Sequence, residues 1–188
     1  MTPRARPRLR DLTSADAPRI HEITAATSVF REEELEIAAE VFRDCVAAPG
    51  PSGGELGRGR APVPPPPRPY YAIGAELDGR LVGWICWGQT PCTEGTWDLY
   101  WLAVDPSAQG AGIGAALVAE MEGRLAGRAR LISVDTSGRP DYGPTRAFYL
   151  AVGYSAVATV PDFYAPGDDQ VIFTKTLPTP PSHRPESP

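Results

Sequence analysis

A chain of 188 residues is long enough for one domain with its own core and needs neither disulfides nor a metal for stability. A net charge of −5 argues against nucleic acid, and no apolar run approaches a membrane span, so the expected partner is a small molecule, with no nucleic acid and no membrane. Cys45, Cys86 and Cys92 are odd in number and lack the spacing of a metal site, which excludes a disulfide scaffold, predicts no metal and suits a reducing cytoplasm.

Arg4, Arg6, Arg8 and Arg10 are followed by no apolar core, so residues 1–7 read as a flexible tail rather than a targeting segment. The domain is predicted over residues 8–177. Residues 8–12 can form a short strand, and Thr13 or Ser14 caps a helix through Ile20 and Ile23, with Pro18 in its first turn. A short turn, Thr27 to Phe30, leads to a second helix over 31–46, with Leu35, Ala38, Ala39 and Phe42 inward and its glutamates mostly outward. Residues 48–69, almost free of large apolar side chains and rich in Pro and Gly, are predicted to be a disordered insertion.

Residues 70–77 and 81–89 flank Asp78-Gly79, the pattern of a hairpin, and 94–104 supplies the next strand of a meander. That strand stops at Asp105-Pro106. Ile113, Leu117, Met121 and Leu125 then recur at the spacing of one helix face, which ends at Gly127. A strand over 129–135 follows, and the crossover makes it parallel to its predecessor. A helix starts at Tyr142-Gly143-Pro144 and runs to Val152. Residues 154–160 and 170–177 close the domain as a hairpin around a loop at 161–169, and 178–188 is a disordered tail.

The chemistry is expected where the meander meets the central helix. Gln109, Gly110, Gly112 and Gly114 stand between strand and helix, and three glycines in five residues suit close approach to bare peptide. The first turn of a helix offers unpaired N–H groups to an anion, so a phosphate or pyrophosphate is the expected guest. Two readings compete. Gly110, Gly112 and Ala115 fit the G-x-G-x-x-A dinucleotide fingerprint, with Asp135 about twenty residues on, which would make a nicotinamide-dinucleotide oxidoreductase. That fold's first glycine follows its strand almost at once, whereas here Asp105 to Gln109 intervene, and too little chain follows for a doubly wound sheet.

Read instead as Q-x-x-G-x-G, Gln109, Gly112 and Gly114 resemble the acyl-CoA loop of the GNAT family of N-acetyltransferases. Ala147-Phe148-Tyr149 followed by Gly153-Tyr154 resembles that family's second motif. The resemblance implies an α/β (α+β) fold: a mixed, mostly antiparallel sheet of six to seven strands, flanked by helices on both faces and splayed at strands four and five. It also implies acetyl-CoA as cofactor, held by Gln109, Gly110, Ala111, Gly112, Ile113, Gly114 and Ala115, with the main chain of Leu102, Ala103 and Val104 on the pantetheine and Arg146 near the phosphates. By the same resemblance Tyr149 is the general acid beside the CoA sulfur. Asp98, the one acid inside an apolar strand and eleven residues before Gln109, is the candidate general base.

The expected activity is acetyl transfer from acetyl-CoA to the primary amine of a small molecule, an amino-acid or polyamine-like acceptor, by direct attack in a ternary complex. The alternative is a catalytically silent CoA-binding regulatory domain. The acceptor is expected between the turn at 29–31 and the loop at 162–169, held by Phe30, Trp84, Trp101, Asp162 and Tyr164. A homodimer is compatible with this reading.

Overall fold

A computed structural model describes residues 6–47 and 70–178. Residues 1–5, 48–69 and 179–188, which contain the insertion and most of both tails read above, lie outside the described residues. The described chain contains seven strands and four α-helices: β1 Arg8–Asp11, α1 Ala17–Ala26, α2 Glu32–Val46, β2 Tyr71–Leu77, β3 Arg80–Gln89 and β4 Thr96–Val104, then α3 Ile113–Leu125, β5 Leu131–Ser137, α4 Gly143–Ala151, β6 Ser155–Ala165 and β7 Asp168–Thr176. One sheet takes them in the order β1-β2-β3-β4-β5-β7-β6.

Local chemistry explains most of the boundaries. Asp78 and Gly79 both take positive φ, 50° and 78°, as a two-residue type I′ hairpin turn requires. The carboxylate of Asp16 accepts from the Thr13 amide at 2.8 Å, and that of Glu34 from the Arg31 amide at 2.7 Å, so each helical segment begins with an otherwise orphaned N–H satisfied. α3 buries Ile113, Leu117, Val118, Met121 and Leu125 on one face, and Gly127 turns the chain out at φ 74°.

The closing hairpin differs from the expected loop at 161–169. β6 continues to Ala165 and β7 starts at Asp168, so Pro166 and Gly167 alone make the turn. Pro161 and Asp162 read as loop residues, but β6 is an edge strand, where a proline's missing N–H breaks no ladder. Pairing skips from Val160↔Gln170 to Ala165↔Asp168, and Asp162, at φ 52°, absorbs the irregularity.

Helices cover both faces of the sheet. α3 and α4 close over Ile73, Ile85, Leu99, Ile132 and Phe173, while α1 and α2 close over Leu81, Trp84, Cys86 and Ala103. Trp84, expected as a wall of the acceptor site, is instead fully buried in the second core. Its ring meets Phe42 edge to face at 6.0 Å, and its Nε1 donates to Thr24 Oγ1 at 3.0 Å. An aromatic with that partner for its N–H is a core residue.

The feature that positions the site is the gap between β4 and β5. These strands, parallel as expected, share three rungs, Thr96↔Leu131, Trp97↔Ile132 and Asp98↔Ser133, and then part. β4 runs on beside β3 alone, while β5 runs on beside β7 alone. The parting coincides with a bulge, because pairing to β3 passes from Leu99↔Trp87 to Trp101↔Cys86 and leaves Tyr100 unmatched. An extra residue bends its strand and increases its twist, which carries β4 away from β5. It also reverses which side chains face which layer: Trp97 and Leu99 join the α3/α4 core, and after the bulge Trp101 and Ala103 join the α1/α2 core.

Trp84→Ala is expected to cost about 3–5 kcal/mol of stability, the range for a buried large-to-small change. Urea unfolding followed by circular dichroism measures it, and a loss below about 1 kcal/mol would show that Trp84 is not the core residue described.

Candidate active site

The anion seat is built first from Asp105. Its carboxylate accepts from the Ser107 amide at 2.9 Å and from the Ser107 hydroxyl at 2.6 Å, and it is bonded by the Arg19 guanidinium of α1. The Ser107 hydroxyl and amide, then Arg19, hold the Asp105 carboxyl down to a pKa of about 2 against the opposing effect of burial. The Asp105 amide donates to Val82 O at 2.8 Å, which fixes the end of β4 to β3. Gln109 Nε2 reaches back to Val104 O at 3.2 Å.

From this anchor the glycines work in two ways. Gly110 and Gly112 adopt φ of 71° and 80°, conformations costly to any residue with a Cβ, and among the described residues a Cβ at Gly112 would meet no neighbour. Gly114 has a different reason: a Cβ there would lie 3.2 and 3.3 Å from ring carbons of Phe148, so it lets α4 pack against the start of α3. The first helical bond is Ala116 N to Gly112 O at 3.0 Å. Among the described residues the amides of Ala111, Gly112, Ile113, Gly114 and Ala115 have no acceptor. Bare N–H groups at the start of a thirteen-residue helix, with no described neighbour where a Cβ on Gly112 would lie, fit a pyrophosphate.

Next to this seat, the main chain of Leu102, Ala103 and Val104 pairs with β3 on one side only. Tyr149 of α4 is 4% exposed, ringed by Phe148, Tyr154 and Phe173 at centroid distances of 5.3, 5.6 and 5.9 Å. Its hydroxyl has no hydrogen-bond partner among the described residues, and burial pushes its pKa well above the ordinary phenol value. It is therefore protonated at neutral pH and able to donate. Arg146, expected near the phosphates, donates its Nη1 to Ser137 O at 2.6 Å and Arg139 O at 2.9 Å, tying α4 to the end of β5.

On the α1/α2 side of the gap is a cavity of about 290 Å³. Phe30, Asp98, Trp101 and Tyr164 line it, and Leu99, which also packs in the α3/α4 core, forms part of its wall. The half-buried Asp98 accepts from Thr90 Oγ1 at 2.7 Å. Asp162 is absent from the lining: its Oδ1 accepts from the Gly167 amide at 2.6 Å, and its own amide donates to Asp169 Oδ1, both within the hairpin.

The cavity also holds two acids not assigned to the acceptor from the sequence: Asp135, which entered only as the acid of the dinucleotide fingerprint, and Asp168 of the closing hairpin. Asp135 projects into it from β5, its Oδ2 accepting from Gln170 Nε2 at 2.8 Å. Desolvation raises the Asp135 pKa above the ordinary carboxylate value; the Gln170 bond opposes this and the charge of Asp98 adds to it. Asp168, 4% exposed, braces the mouth: it accepts from the Ser137 hydroxyl and from Arg31 Nη2 at 2.7 Å, with Arg139 Nη1 at 3.7 Å. The alternation of Ser133, Asp135 and Ser137 with buried Ile132 and Val134 was the available signal.

The chain matches the Acetyltransferase (GNAT) family over residues 24–154. It is 28% identical over 153 residues to an uncharacterized N-acetyltransferase of Methanocaldococcus jannaschii, an alignment covering 79% of this chain and 90% of that one. It is 36% identical over 109 residues to the blasticidin-S acetyltransferase of Streptomyces morookaense, covering 57% of this chain and 73% of that protein. A crystal structure from Desulfovibrio desulfuricans assigned to the GNAT family superposes with a TM-score of 0.76 at 32% identity, covering 92% of this chain and 99% of that chain.

The depressed Asp105 pKa has a signed consequence. Its contribution, on the order of 2 kcal/mol, is complete above the unfolded value near 4 and is lost as pH falls toward 2. Urea unfolding between pH 5 and 2 is expected to show a shallower loss in Asp105→Asn than in the wild type. Parallel curves would contradict the assignment.

Proposed function

The chain belongs to the GNAT family of acetyltransferases and is an acyl-CoA-dependent N-acyltransferase, and we propose that it acetylates the primary amine of a small cationic molecule by direct attack in a ternary complex. The observation that carries this reading is that the anion seat and the cavity lie on opposite faces of one sheet, beside the gap between β4 and β5. A ternary complex needs such a route, since both reactants must meet without exchanging places.

Acetyl-CoA, when bound, supplies an acetyl thioester, an activated acyl group. The amides at 111–115 hold its pyrophosphate, and the main chain of Leu102 to Val104 lies along its pantetheine arm. Asp98, fixed by Thr90, takes a proton from the acceptor's ammonium and leaves a nucleophilic lone pair. Tyr149 protonates the departing sulfur, a role supported by a hydroxyl that has no partner among the described residues and that desolvation keeps protonated.

The acceptor class follows from cavity size and charge. About 290 Å³ sits at the lower end of small-molecule sites. Four carboxylates, those of Glu34, Asp98, Asp135 and Asp168, face two guanidiniums, Arg31 and Arg139, and the aromatic rings of Phe30, Trp101 and Tyr164 complete the walls. That environment favours an amino-acid or polyamine-like cation over an anion. The odd number of cysteines, without the spacing of a metal site, supports a reducing cytoplasm. A homodimer belongs to the same proposal: edge strand β6 exposes Val157 and Phe163 by more than half, and a second copy's β6 can extend it.

Thiol release from acetyl-CoA across a panel of primary amines tests the reading. Cationic amines are expected to outcompete anionic ones, and Tyr149→Phe to lower kcat about 100-fold, the scale of a lost general acid, with the KM for acetyl-CoA little changed. Preference for anionic amines would refute the acceptor class; unchanged kcat in Tyr149→Phe would remove the assigned acid.

A further inference from the structure

The acids around the cavity are not equivalent. Asp168 is compensated by Arg31, with Arg139 close by, and Glu34 accepts from the Arg31 amide at the start of its own helix. Asp98 and Asp135 have no cationic partner among the described residues: Asp98 accepts from the neutral Thr90 and Asp135 from the neutral Gln170. They stand on the two strands that separate at this point. Asp98 is on the last shared rung, opposite Ser133, and Asp135 follows two residues later on the same face of β5, about 6.6 Å along the strand.

We propose that Asp98 and Asp135 form one two-carboxylate seat, which receives the acceptor as an ammonium ion and takes its two protons in turn. This deepens the proposed function and rests on it. An acceptor R–NH₃⁺ must lose two protons to become an amide. The first goes to one carboxylate, and the freed lone pair forms the C–N bond as the C–S bond breaks and its electron pair leaves on sulfur. Tyr149 gives its hydroxyl proton to that sulfur. The second proton on nitrogen goes to the other carboxylate, because one that has already been protonated cannot accept again. One of the two protons restores Tyr149 and the other reaches solvent, so each turnover releases one proton. Asp135 is on this account a catalytic residue.

The charged and titratable groups facing Asp135 are Asp98 and Tyr100 on β4, Tyr164 on β6, Arg31 and Glu34 at the start of α2, Asp168 on β7, and Arg139 and Tyr142 beyond β5. Desolvation is the main cause that raises the pKa of Asp135 and the charge of Asp98 adds to it, so neutralising Asp98 is expected to lower it.

The first test needs no acceptor. In full-length protein labelled with ¹³Cγ-aspartate and saturated with CoA, the Asp135 carbon should titrate above the ordinary carboxylate value, and its midpoint should fall in Asp98→Asn. A midpoint unmoved by Asp98→Asn would overturn the two-carboxylate seat. The second test measures thiol release with spermidine and with blasticidin S as probes. Asp135→Asn is expected to lower kcat/KM about 100-fold, on the scale of a lost general base, and Asp135→Glu to restore part of it. The acid limb of kcat/KM should move to lower pH in Asp98→Asn, because a cause that raises the remaining group is gone. The double variant should lose less than the product of the single losses. Thermal melting and CoA binding equal to wild type show that each variant folds; a variant that fails them is replaced by Asp135→Ser, which leaves the prediction unchanged. If the wild type releases thiol and folded Asp135→Asn stays within twofold of it, the seat is refuted and the acetyltransferase reading stands. If no amine elicits thiol release from the wild type, both fall together.

Discussion

Everything functional in this protein depends on a hydrogen-bonded ladder that stops after three rungs. Beyond Asp98↔Ser133, β4 and β5 each keep a partner on their outer side and lose the inner one. A sheet normally separates its two faces completely, and here the parted strands leave a passage between them. The bulge at Tyr100 supplies the bend. The cost of unpaired main chain is tolerable only where another group takes up those donors and acceptors, so a gap of this kind marks a binding site as well as a defect in the sheet.

The two faces bring different chemistry to that passage. On the α3/α4 side, bare amides at a helix start and a buried, protonated phenol suit an anionic carrier with a thiolate to be quenched. On the α1/α2 side, carboxylates and aromatic walls suit a cation. The bulge contributes to this division, since it reverses the alternation of β4 and lets one strand present Asp98 to the cavity while Leu102 and Val104 pack on the opposite side. Asp105 then secures the junction by holding the strand end to α1 through Arg19 and the following turn through Ser107.

Much of this was legible in the residues themselves. The period-two strands, the Asp-Gly turn and the glycine loop follow from local sterics, and the parallel crossover follows from element order. What escaped was decided by contacts between distant segments. Trp84 sits in a strand whose pattern cannot tell a core from a cavity wall; Phe42 and Thr24, more than forty residues away in the chain, make it core. Asp135 could be paired with Asp98 only once the register of β4 and β5 was known. Gly114 looked like a concession to a ligand, but Phe148 occupies the space its side chain would take. Pro161 and Asp162 suggested a loop because their conformational habits are those of loops, yet at a sheet edge both are accommodated within the hairpin.

The most direct measurement is a crystal structure of the protein with CoA. The pyrophosphate is expected on the amides of residues 111–115, with the pantetheine arm between residues 99–104 and 134–137 and its sulfur beside the Tyr149 hydroxyl. A complex in which those two segments were zipped together, or in which CoA lay on another face, would contradict that placement.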